Sequence, residues 1–341
     1  MKRKRDLFDG ICQWENLRLA FYNAARGKRE RAEVRQFGSG LERNLQRLGC
    51  DLRAGTIEVG EYLQWIIHDP KRRVITAPSF RVRVLHHAIM NVCEPVFDRW
   101  LIPDTFACRC GKGQVAALAR AKTFAARFGY FLKLDIRKYF DSVSHPILLE
   151  RLARKFKDRP LLELFTRIVD SYSTSPQRGL PIGTLTSQHF ANFYLGWLDR
   201  FVKEQLQVKG YVRYMDDMVL WGDDRAKLES DCAAVQAWLD GQLALQAKPP
   251  VLHGTNRGME FLGVRVYPTH LALARRSRHR FRKRLKELEA EYLGGGIGEP
   301  ELQQRASALV AFTRIGGARS WRFRRRVLQG SLVSGHRPPT G

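Results

Sequence analysis

Apolar residues recur every three to four positions in several segments of the chain, which is the spacing of an amphipathic helix. Near the start, Leu17, Phe21 and Ala24 follow this spacing among many charged residues. The same pattern predicts these helical segments: 7–49, 55–67 after an initial turn, 80–100, an Ala-rich stretch ending at 128, 187–206, and a basic region from 269 to about 328.

Shorter apolar runs, bounded by Gly, Pro or charged residues, predict strands. One buried strand is expected over Tyr130–Ile136, and Tyr211–Trp221 is typical of a β-hairpin that is apolar on both sides of Asp216-Asp217. A basic strand is expected over 69–75, and a turn followed by a strand over 258–264. The absence of an internal repeat and of a Pro- or Ser-rich linker favours one continuous unit.

The charge balance adds the first indication of function. The chain of 341 residues has 59 Lys plus Arg against 34 Asp plus Glu, which gives a net charge of +25 at pH 7. Such an excess creates a positive potential that attracts polyphosphates. Solubility alone rarely requires so large a charge, so the composition favours nucleic-acid binding.

Several other classes of protein are disfavoured by the sequence. No apolar run reaches the ~18–20 residues that cross a bilayer, and no apolar stretch follows the basic N-terminus as in a secretory signal. The six cysteines form no CxxC pair, which argues against a structural zinc site. These features predict a cytoplasmic protein with reduced cysteines and no membrane partner.

Acidic residues stand at the ends of two predicted strands. Asp135 closes one apolar strand, and Asp216-Asp217 interrupts the apolar hairpin. Such a pair can simply make a tight turn, as expected for Asp223-Asp224, which precedes a helical run. Two carboxylates among apolar strand residues repel each other unless a cation is present, which favours a metal site at Asp216-Asp217.

Five segments of the sequence, in order, resemble the motifs of reverse transcriptases. They are 71–75, similar to the fingers motif that grips the triphosphate; 131–141, similar to the first catalytic palm motif; 179–188, similar to the loop and helix under the template base; 214–217, similar to the catalytic hairpin; and Gly258 with 261–263, similar to the primer grip. One such segment can arise by chance, but five in order at the family's spacing are specific.

The loop that resembles the one under the template base points to a particular group of reverse transcriptases. Group II intron and many other reverse transcriptases have Gln-Gly-x-x-x-Ser-Pro there, whereas this chain has Ile182 in place of the Gln and Gln188 in place of the Pro. This form is similar to that of diversity-generating retroelement reverse transcriptases, as is segment 104–113. A group II intron-type or retron enzyme is the nearest alternative, although retrons usually carry Ala where this chain has Met215.

The resemblance implies mutagenic reverse transcription in a bacterial or phage-encoded system. Such enzymes copy a template-repeat RNA into cDNA with errors opposite adenine, and the product replaces a variable repeat in a target gene. The implied partners are template RNA, an RNA–DNA duplex, deoxynucleoside triphosphates and an oligomer of a small basic accessory protein. A different class, a non-catalytic RNA-binding protein on a polymerase scaffold, is the second alternative.

The implied fold is an α+β right hand with fingers, a palm built on an antiparallel sheet, and a helical thumb. The expected organisation is an N-terminal helical extension (1–60), fingers and palm (61–265), a basic helical thumb (266–330) and a flexible tail (331–341).

The resemblance also assigns roles at the expected active site. Asp135 and Asp216 would bind two Mg²⁺ ions, which Mn²⁺ can replace, with Asp217 as a third carboxylate and Ile136 contributing its carbonyl oxygen. Magnesium prefers such oxygen ligands and keeps several waters.

Other residues would contact the incoming nucleotide. Lys71 and Arg73 would neutralise the triphosphate, with a solvated basic turn as the alternative. Phe140 would be the steric gate against a 2′-hydroxyl, or else an ordinary core residue, and Lys248 would protonate pyrophosphate.

Ile182 cannot hydrogen-bond near the pairing bases as a Gln could. This difference would lower the discrimination between correct and incorrect nucleotides by about 1–3 kcal/mol. Simple packing of the loop against the helix is the alternative. The residues expected to shape the template and primer path are Gly183, Ser187, Gln188, Tyr214, Met215, Phe261, Leu262, Gly263, Arg282 and Arg284.

Overall fold

The computed structural model describes residues 6–67, 73–315, 317–329 and 331–332. The chain divides into two compact units and passes between them several times. The first unit comprises Met1–Cys110, Asp135–Gln207 and Asp231–Pro249, and the second comprises Gly111–Leu134, Val208–Ser230 and Pro250–Gly341. Of the helices that the structure describes, none has the length and apolar character needed to cross a membrane.

The secondary structure mixes helices with short antiparallel strands. The helices are α1 Phe8–Cys12, α2 Trp14–Ala25, α3 Ala32–Ser39, α4 Leu41–Ala54, α5 Phe80–Trp100, α6 Gln114–Arg127, α7 Tyr139–Ser142, α8 His145–Lys155, α9 Arg159–Asp170, α10 Leu185–Arg200, α11 Arg225–Leu243, α12 Arg275–Leu293, α13 Glu299–Arg314 and α14 Gly317–Leu328. The strands are β1 Tyr62–Ile67, β2 Arg73–Pro78, β3 Tyr130–Leu134, β4 Gly210–Tyr214, β5 Asp217–Gly222, β6 Val251–Gly254, β7 Met259–Phe261, β8 Val264–Val266 and β9 Leu271–Leu273.

The first unit is built mainly from helices packed around α5. Ser79 caps this helix by accepting a hydrogen bond from the Val82 N–H, and the side chains of α5 contact α2 and α10. The Phe97 ring lies 5.3 Å from that of Phe156 and 5.3 Å from that of Phe193. Burial of such large rings supplies most of the driving force for packing a helical core.

The prediction of a helix over 55–67 is wrong, because Tyr62–Ile67 forms strand β1. β1 pairs with β2 in an antiparallel two-stranded sheet in which Trp65 faces Ile75. Aromatic and β-branched residues favour this extended pairing, and the pattern of a short apolar run does not distinguish it from a helix. The strand predicted over 69–75 is confirmed from Arg73 onward.

The second unit contains a four-stranded antiparallel sheet in the order β4-β5-β3-β6. The strand predicted over Tyr130–Ile136 is confirmed as β3, and the hairpin predicted over Tyr211–Trp221 is confirmed as β4 and β5. Helix α6 covers one face of the sheet, with the Phe124 ring 5.4 Å from that of Trp221.

A smaller sheet, β7-β8-β9, precedes the basic helices of the second unit. The turn and strand predicted over 258–264 are confirmed, but the helix expected from 269 begins only at Arg275, because Leu271–Leu273 pairs with β8. In α12, Phe281, Leu285 and Leu288 are buried. The predicted tail starts with Ser331 and Leu332, which both hydrogen-bond to Glu289, and 333–341 lie outside the described residues.

Gly258 sits at the entrance to β7 in a conformation that L-residues avoid. Its φ is +73°, and an added Cβ would lie 2.4 Å from the Tyr267 ring. The Tyr267 ring also stacks on the His270 ring, with the ring centroids 4.5 Å apart. The Gly258 backbone therefore approaches Tyr267 too closely for any side chain.

We expect Gly258→Ala to destabilise the second unit by more than about 2 kcal/mol, because a φ of +73° with a ψ of 137° is a sparsely populated conformation that costs other residues roughly 1–3 kcal/mol, and the Tyr267 ring must also move. The matched control is Gly295→Ala, since Gly295 has the same φ of +73° but no heavy atom within 4 Å of an added Cβ. Thermal unfolding followed by circular dichroism compares the two. Equal losses of stability would show that the Tyr267 contact has no cost.

Candidate active site

The catalytic hairpin predicted from the sequence has a two-residue turn. Tyr214 pairs with Asp217 across the hairpin, so Met215 and Asp216 form the turn and Asp217 is the first residue of β5. Met215 has a φ of +53° whereas Asp216 is not among the residues with positive φ, which is the sign pattern of a type II′ turn. This turn matches the twist of the flanking strands and presents both carboxylates at one end of the sheet.

Arg213 stabilises this turn and was not singled out from the sequence. Its side chain is 0% exposed, and its guanidinium donates a hydrogen bond to the Met215 carbonyl oxygen at 3.1 Å. A Met at positive φ is disfavoured relative to Gly, and a buried donor on the turn carbonyl offsets that cost. The available signal was a lone Arg inside an otherwise apolar strand.

Lys133 contacts Asp217 from the neighbouring strand. The Lys133 Nζ lies 3.1 Å from Asp217 Oδ1 and donates to the Glu260 carbonyl oxygen at 3.1 Å. This lysine also was not singled out from the sequence. In the second unit, therefore, the proposed third carboxylate is held beside an ammonium group.

Asp135 is held by a lysine in the first unit. The Lys248 Nζ lies 2.5 Å from Asp135 Oδ2, and the Lys248 backbone N–H donates to the Asp135 carbonyl oxygen at 2.7 Å. An isolated bridge between Ile136 and Ala247 continues this pairing. Segment 135–137 thus runs antiparallel to 246–248, which places Lys248 beside the Asp135 carboxylate.

Asp135 in the first unit, and Asp216 and Asp217 in the second, supply the type of oxygen ligand that magnesium prefers. Among the residues that the structure describes, no three His, Cys, Asp or Glu side chains are grouped closely enough to hold a metal ion. Asp135 and Asp217 instead each contact a lysine. Each of these contacts uses one oxygen of the carboxylate, Oδ2 of Asp135 and Oδ1 of Asp217, and a carboxylate has a second oxygen that can bind a divalent ion.

The loop expected under the template base connects two elements of the first unit. The Leu180 N–H donates to the Phe140 carbonyl oxygen at 2.8 Å, and the Thr76 N–H donates to the Ile182 carbonyl oxygen at 2.7 Å. Gly183 has a φ of +123°, and an added Cβ would lie 2.8 Å from the Thr76 carbonyl oxygen. The structure therefore brings Phe140, Ile182 and Gly183 together with strand β2, and both Phe140 and Ile182 are half-buried.

The start of α10 explains two further residues of this motif. Thr184 is the N-cap, accepting from the Ser187 N–H at 3.3 Å, and the two hydroxyls lie 2.5 Å apart. Ser187 is only 2% exposed, and its contacts with Thr184 fix the start of α10. The side chain of Gln188 is half-buried and its Oε1 accepts from the Cys108 thiol at 3.5 Å.

The predicted primer grip is a hairpin whose turn residues, Leu262 and Gly263, have φ values of +50° and +76°. This is the sign pattern of a type I′ turn. Gln114 donates to the Leu262 carbonyl oxygen at 2.8 Å, and Ser277 donates to that of Gly263 at 2.7 Å. Phe261 is fully buried, so its side chain is not available for contact with a primer.

The remaining basic site residues are placed as follows. Arg282 and Arg284 are exposed on α12, and the Arg282 guanidinium lies 5.1 Å from the centre of the Phe323 ring. Arg73 is the first residue of β2. Lys71 lies outside the described residues.

The buried histidines next to this loop are structural. His86 accepts from or donates to the Thr186 hydroxyl at 3.3 Å, and burial lowers the pKa of His86 to about 3. Burial likewise lowers the pKa of His189 to about 4. Both rings are therefore uncharged at neutral pH and contribute to packing rather than to proton transfer.

Comparison with known proteins gives a family. The protein-family model described as "Reverse transcriptase (RNA-dependent DNA polymerase)" matches residues 68–266 of this chain. The group II intron-encoded protein LtrA of Lactococcus lactis subsp. cremoris is 28% identical over 148 residues, covering 41% of this chain and 24% of LtrA. Nuclear intron maturase 4, mitochondrial, of Arabidopsis thaliana is 24% identical over 204 residues, covering 58% of this chain and 25% of the maturase.

The matched region is a small part of the first curated relatives, of which the chain covers 22%, 18% and 17%. Among solved structures, apo telomerase from Candida Tropicalis resembles the chain with a TM-score of 0.50 at 10% identity, covering 81% of this chain and 59% of that one. This likeness is one of fold, and with the antiparallel sheets it confirms the predicted α+β right-hand polymerase class. Because the match to the family model spans more than half of the sequence, the chain belongs to the reverse transcriptase family, with relatives among group II intron proteins.

Proposed function

We propose that this chain is an RNA-directed DNA polymerase that adds deoxynucleotides to a primer 3′-hydroxyl on an RNA template and releases pyrophosphate. The observation that carries the proposal is the Met215-Asp216 turn, which presents Asp216 and Asp217 at the end of an apolar hairpin. An ordinary surface turn needs no buried Arg on its carbonyl, whereas Arg213 supplies one here.

Asp135 joins this assignment through chain connectivity. Leu134 pairs with Met218 in the sheet of the second unit, and Asp135 is the next residue along the chain. We assign Asp135 and Asp216 as the ligands of two Mg²⁺ ions, with the Ile136 carbonyl and Asp217 as further oxygen donors. When bound, such ions activate the attacking hydroxyl and neutralise charge on the transferred phosphoryl group.

The protein's own residues would bind and orient the substrates. Lys248, beside Asp135, would provide a proton for the leaving pyrophosphate, and Lys71 with Arg73 would neutralise the triphosphate. Phe140 would exclude a 2′-hydroxyl from the sugar position. The turn at Leu262-Gly263 and the exposed Arg282 and Arg284 would hold the primer and the duplex through phosphates.

The finer proposal is that copying is mutagenic and serves to diversify a gene. It is supported by the apolar Ile182 and by Gln188 in the loop motif, and it implies a template-repeat RNA and an oligomeric basic accessory protein. An intron-type reverse transcriptase is the second candidate, favoured by the similarity to intron-encoded proteins. The two candidates differ in the error spectrum opposite adenine.

Asp216→Asn should reduce the rate of primer extension on an RNA template by at least about 100-fold. This is the loss of rate that follows removal of one preorganised electrostatic contact at a reacting centre. The control is Asp223→Asn, because Asp223 Oδ1 accepts from the Gly129 N–H at 2.8 Å and an Asn oxygen can do the same. Extension is measured with Mg²⁺ and all four deoxynucleotides. If wild type and Asp216→Asn bind RNA but extend equally little, the chain is a binding protein.

Phe140→Ala should raise the efficiency of ribonucleotide relative to deoxynucleotide incorporation by about tenfold or more, because removal of one steric contact is worth roughly 1–3 kcal/mol. Single-nucleotide incorporation at varied concentrations gives the ratio of kcat/KM values. Phe140→Tyr keeps the ring and serves as the matched control. An unchanged ratio in Phe140→Ala would leave Phe140 as a packing residue only.

Ile182→Gln should lower misincorporation opposite template adenine by about tenfold, the lower end of what one polar contact supplies in discrimination. Sequencing of cDNA from a template rich in all four bases measures each error separately. Ile182→Val retains an apolar side chain and should keep the wild-type spectrum. The mutagenic assignment of this residue is wrong if adenine errors are the same in all three proteins.

A further inference from the structure

Lys133 lies between the two hairpins of the second unit that are proposed to act on the primer. In the sheet, Lys133 is opposite Val219, so Asp217 is its diagonal neighbour two positions along β5. Side chains at such diagonal positions are on the same face and within reach of a long lysine. Its Nζ lies 3.1 Å from Asp217 Oδ1 on the catalytic hairpin.

The same ammonium group reaches the β7–β8 hairpin. It donates to the Glu260 carbonyl oxygen at 3.1 Å and lies 6.0 Å from the centre of the Phe261 ring. A lysine ammonium has three donors and no acceptor, so one group can hold a carboxylate and a carbonyl at once. The ammonium group of Lys133 therefore links Asp217, the residue that follows the turn at 215–216, to Glu260, which lies two residues before the turn at 262–263.

Burial and geometry distinguish this contact from an ordinary surface ion pair. The side chains of Lys133 and Asp217 are 24% and 32% exposed, whereas the helical pair Arg159–Glu163 is 89% and 60% exposed. Exposed pairs are screened and contribute little. The Glu260 contact uses a backbone oxygen, so it fixes the position of the β7 strand rather than that of a mobile side chain.

We propose that Lys133 is a positioning residue that fixes the primer-grip hairpin relative to Asp217, and so aligns the primer 3′ end with the catalytic carboxylates. This inference rests on the proposed polymerase function. Lys133 contacts neither substrate in this role, and it acts through Asp217 and through the backbone of Glu260. Loss of the Lys133 ammonium group should therefore lower the rate of nucleotide addition in the bound complex rather than weaken the binding of primer or nucleotide.

The test replaces Lys133 with Met, which keeps the apolar stem and removes the ammonium group. At saturating primer–template and nucleotide we expect kcat to fall by about tenfold or more, since a misplacement of about 1 Å at a reacting centre can cost on the order of 100-fold. The Kd for primer–template and the KM for nucleotide should change by less than about twofold, because Lys133 makes no contact with the bound primer or nucleotide.

Two further variants make the result specific. Lys133→Arg can donate to both acceptors and should recover most of the lost kcat. Lys122→Met removes a lysine from α6 of the same unit and should leave kcat and primer affinity unchanged. A wild-type kcat in Lys133→Met would overturn the proposal, as would an equal loss in kcat and primer affinity or a failure of Lys133→Arg to restore kcat.

A measurement that needs no activity separates this inference from the polymerase assignment. Hydrogen exchange followed by mass spectrometry should show faster amide exchange in Lys133→Met at both 213–218 and 259–264, and at neither in Lys122→Met. Unchanged exchange at 259–264 would refute the link between the hairpins, even in an active enzyme. If wild type extends no primer but exchange rises at both hairpins, the function is wrong and the structural link is right.

Discussion

The structure depends on keeping negative charges at the end of an apolar sheet without exposing the strands that carry them. Carboxylates beside buried strands are costly unless a cation is close, because desolvation and mutual repulsion both disfavour the ionised form. The chain meets this constraint separately in its two units. Lys248 pairs with Asp135 in the first, and Lys133 pairs with Asp217 in the second.

Side chains that lie outside the turns also explain why the two hairpins can have their conformations. Both tight turns contain a residue other than Gly at positive φ, namely Met215 and Leu262. Such turns are disfavoured by local sterics and persist where surrounding contacts determine them. Arg213 donates to the Met215 carbonyl oxygen and Gln114 to that of Leu262, so each turn is fixed by a side chain from outside it.

Sequence patterns predicted the parts of the fold in which one local rule dominates. The hairpin around Asp216-Asp217 was predicted because apolar strand formers flank a polar pair, and the helices α5 and α12 because their apolar spacing is regular. The stretch 62–67 was assigned wrongly because a short apolar run has no distinguishing period, and only pairing with β2 determines its state.

Within the candidate site, residues that carry a motif were found from the sequence, whereas the supporting residues Arg213 and Lys133 were not singled out. The role of Lys133 depends on a diagonal relation across two strands and on a third strand more than 120 residues away along the chain. Conversely, Ser187 and Phe261 belong to recognisable motifs but are buried. A motif shows which residues occur together, and it does not distinguish a residue that touches substrate from one that holds its neighbours.

Ile182 shows how backbone and side-chain roles can be separated at one position. Its carbonyl oxygen accepts the Thr76 N–H, and any residue can provide that bond. The close approach that the loop requires belongs to Gly183, where an added Cβ would meet the Thr76 carbonyl oxygen at 2.8 Å. The connection to β2 therefore does not need an isoleucine.

What the isoleucine side chain adds is its half-buried apolar surface, and a role in packing alone would be satisfied by other apolar residues of similar size. A role in base-pair discrimination depends instead on the lack of a hydrogen-bonding group, so polarity at constant backbone geometry is the property that separates the two explanations.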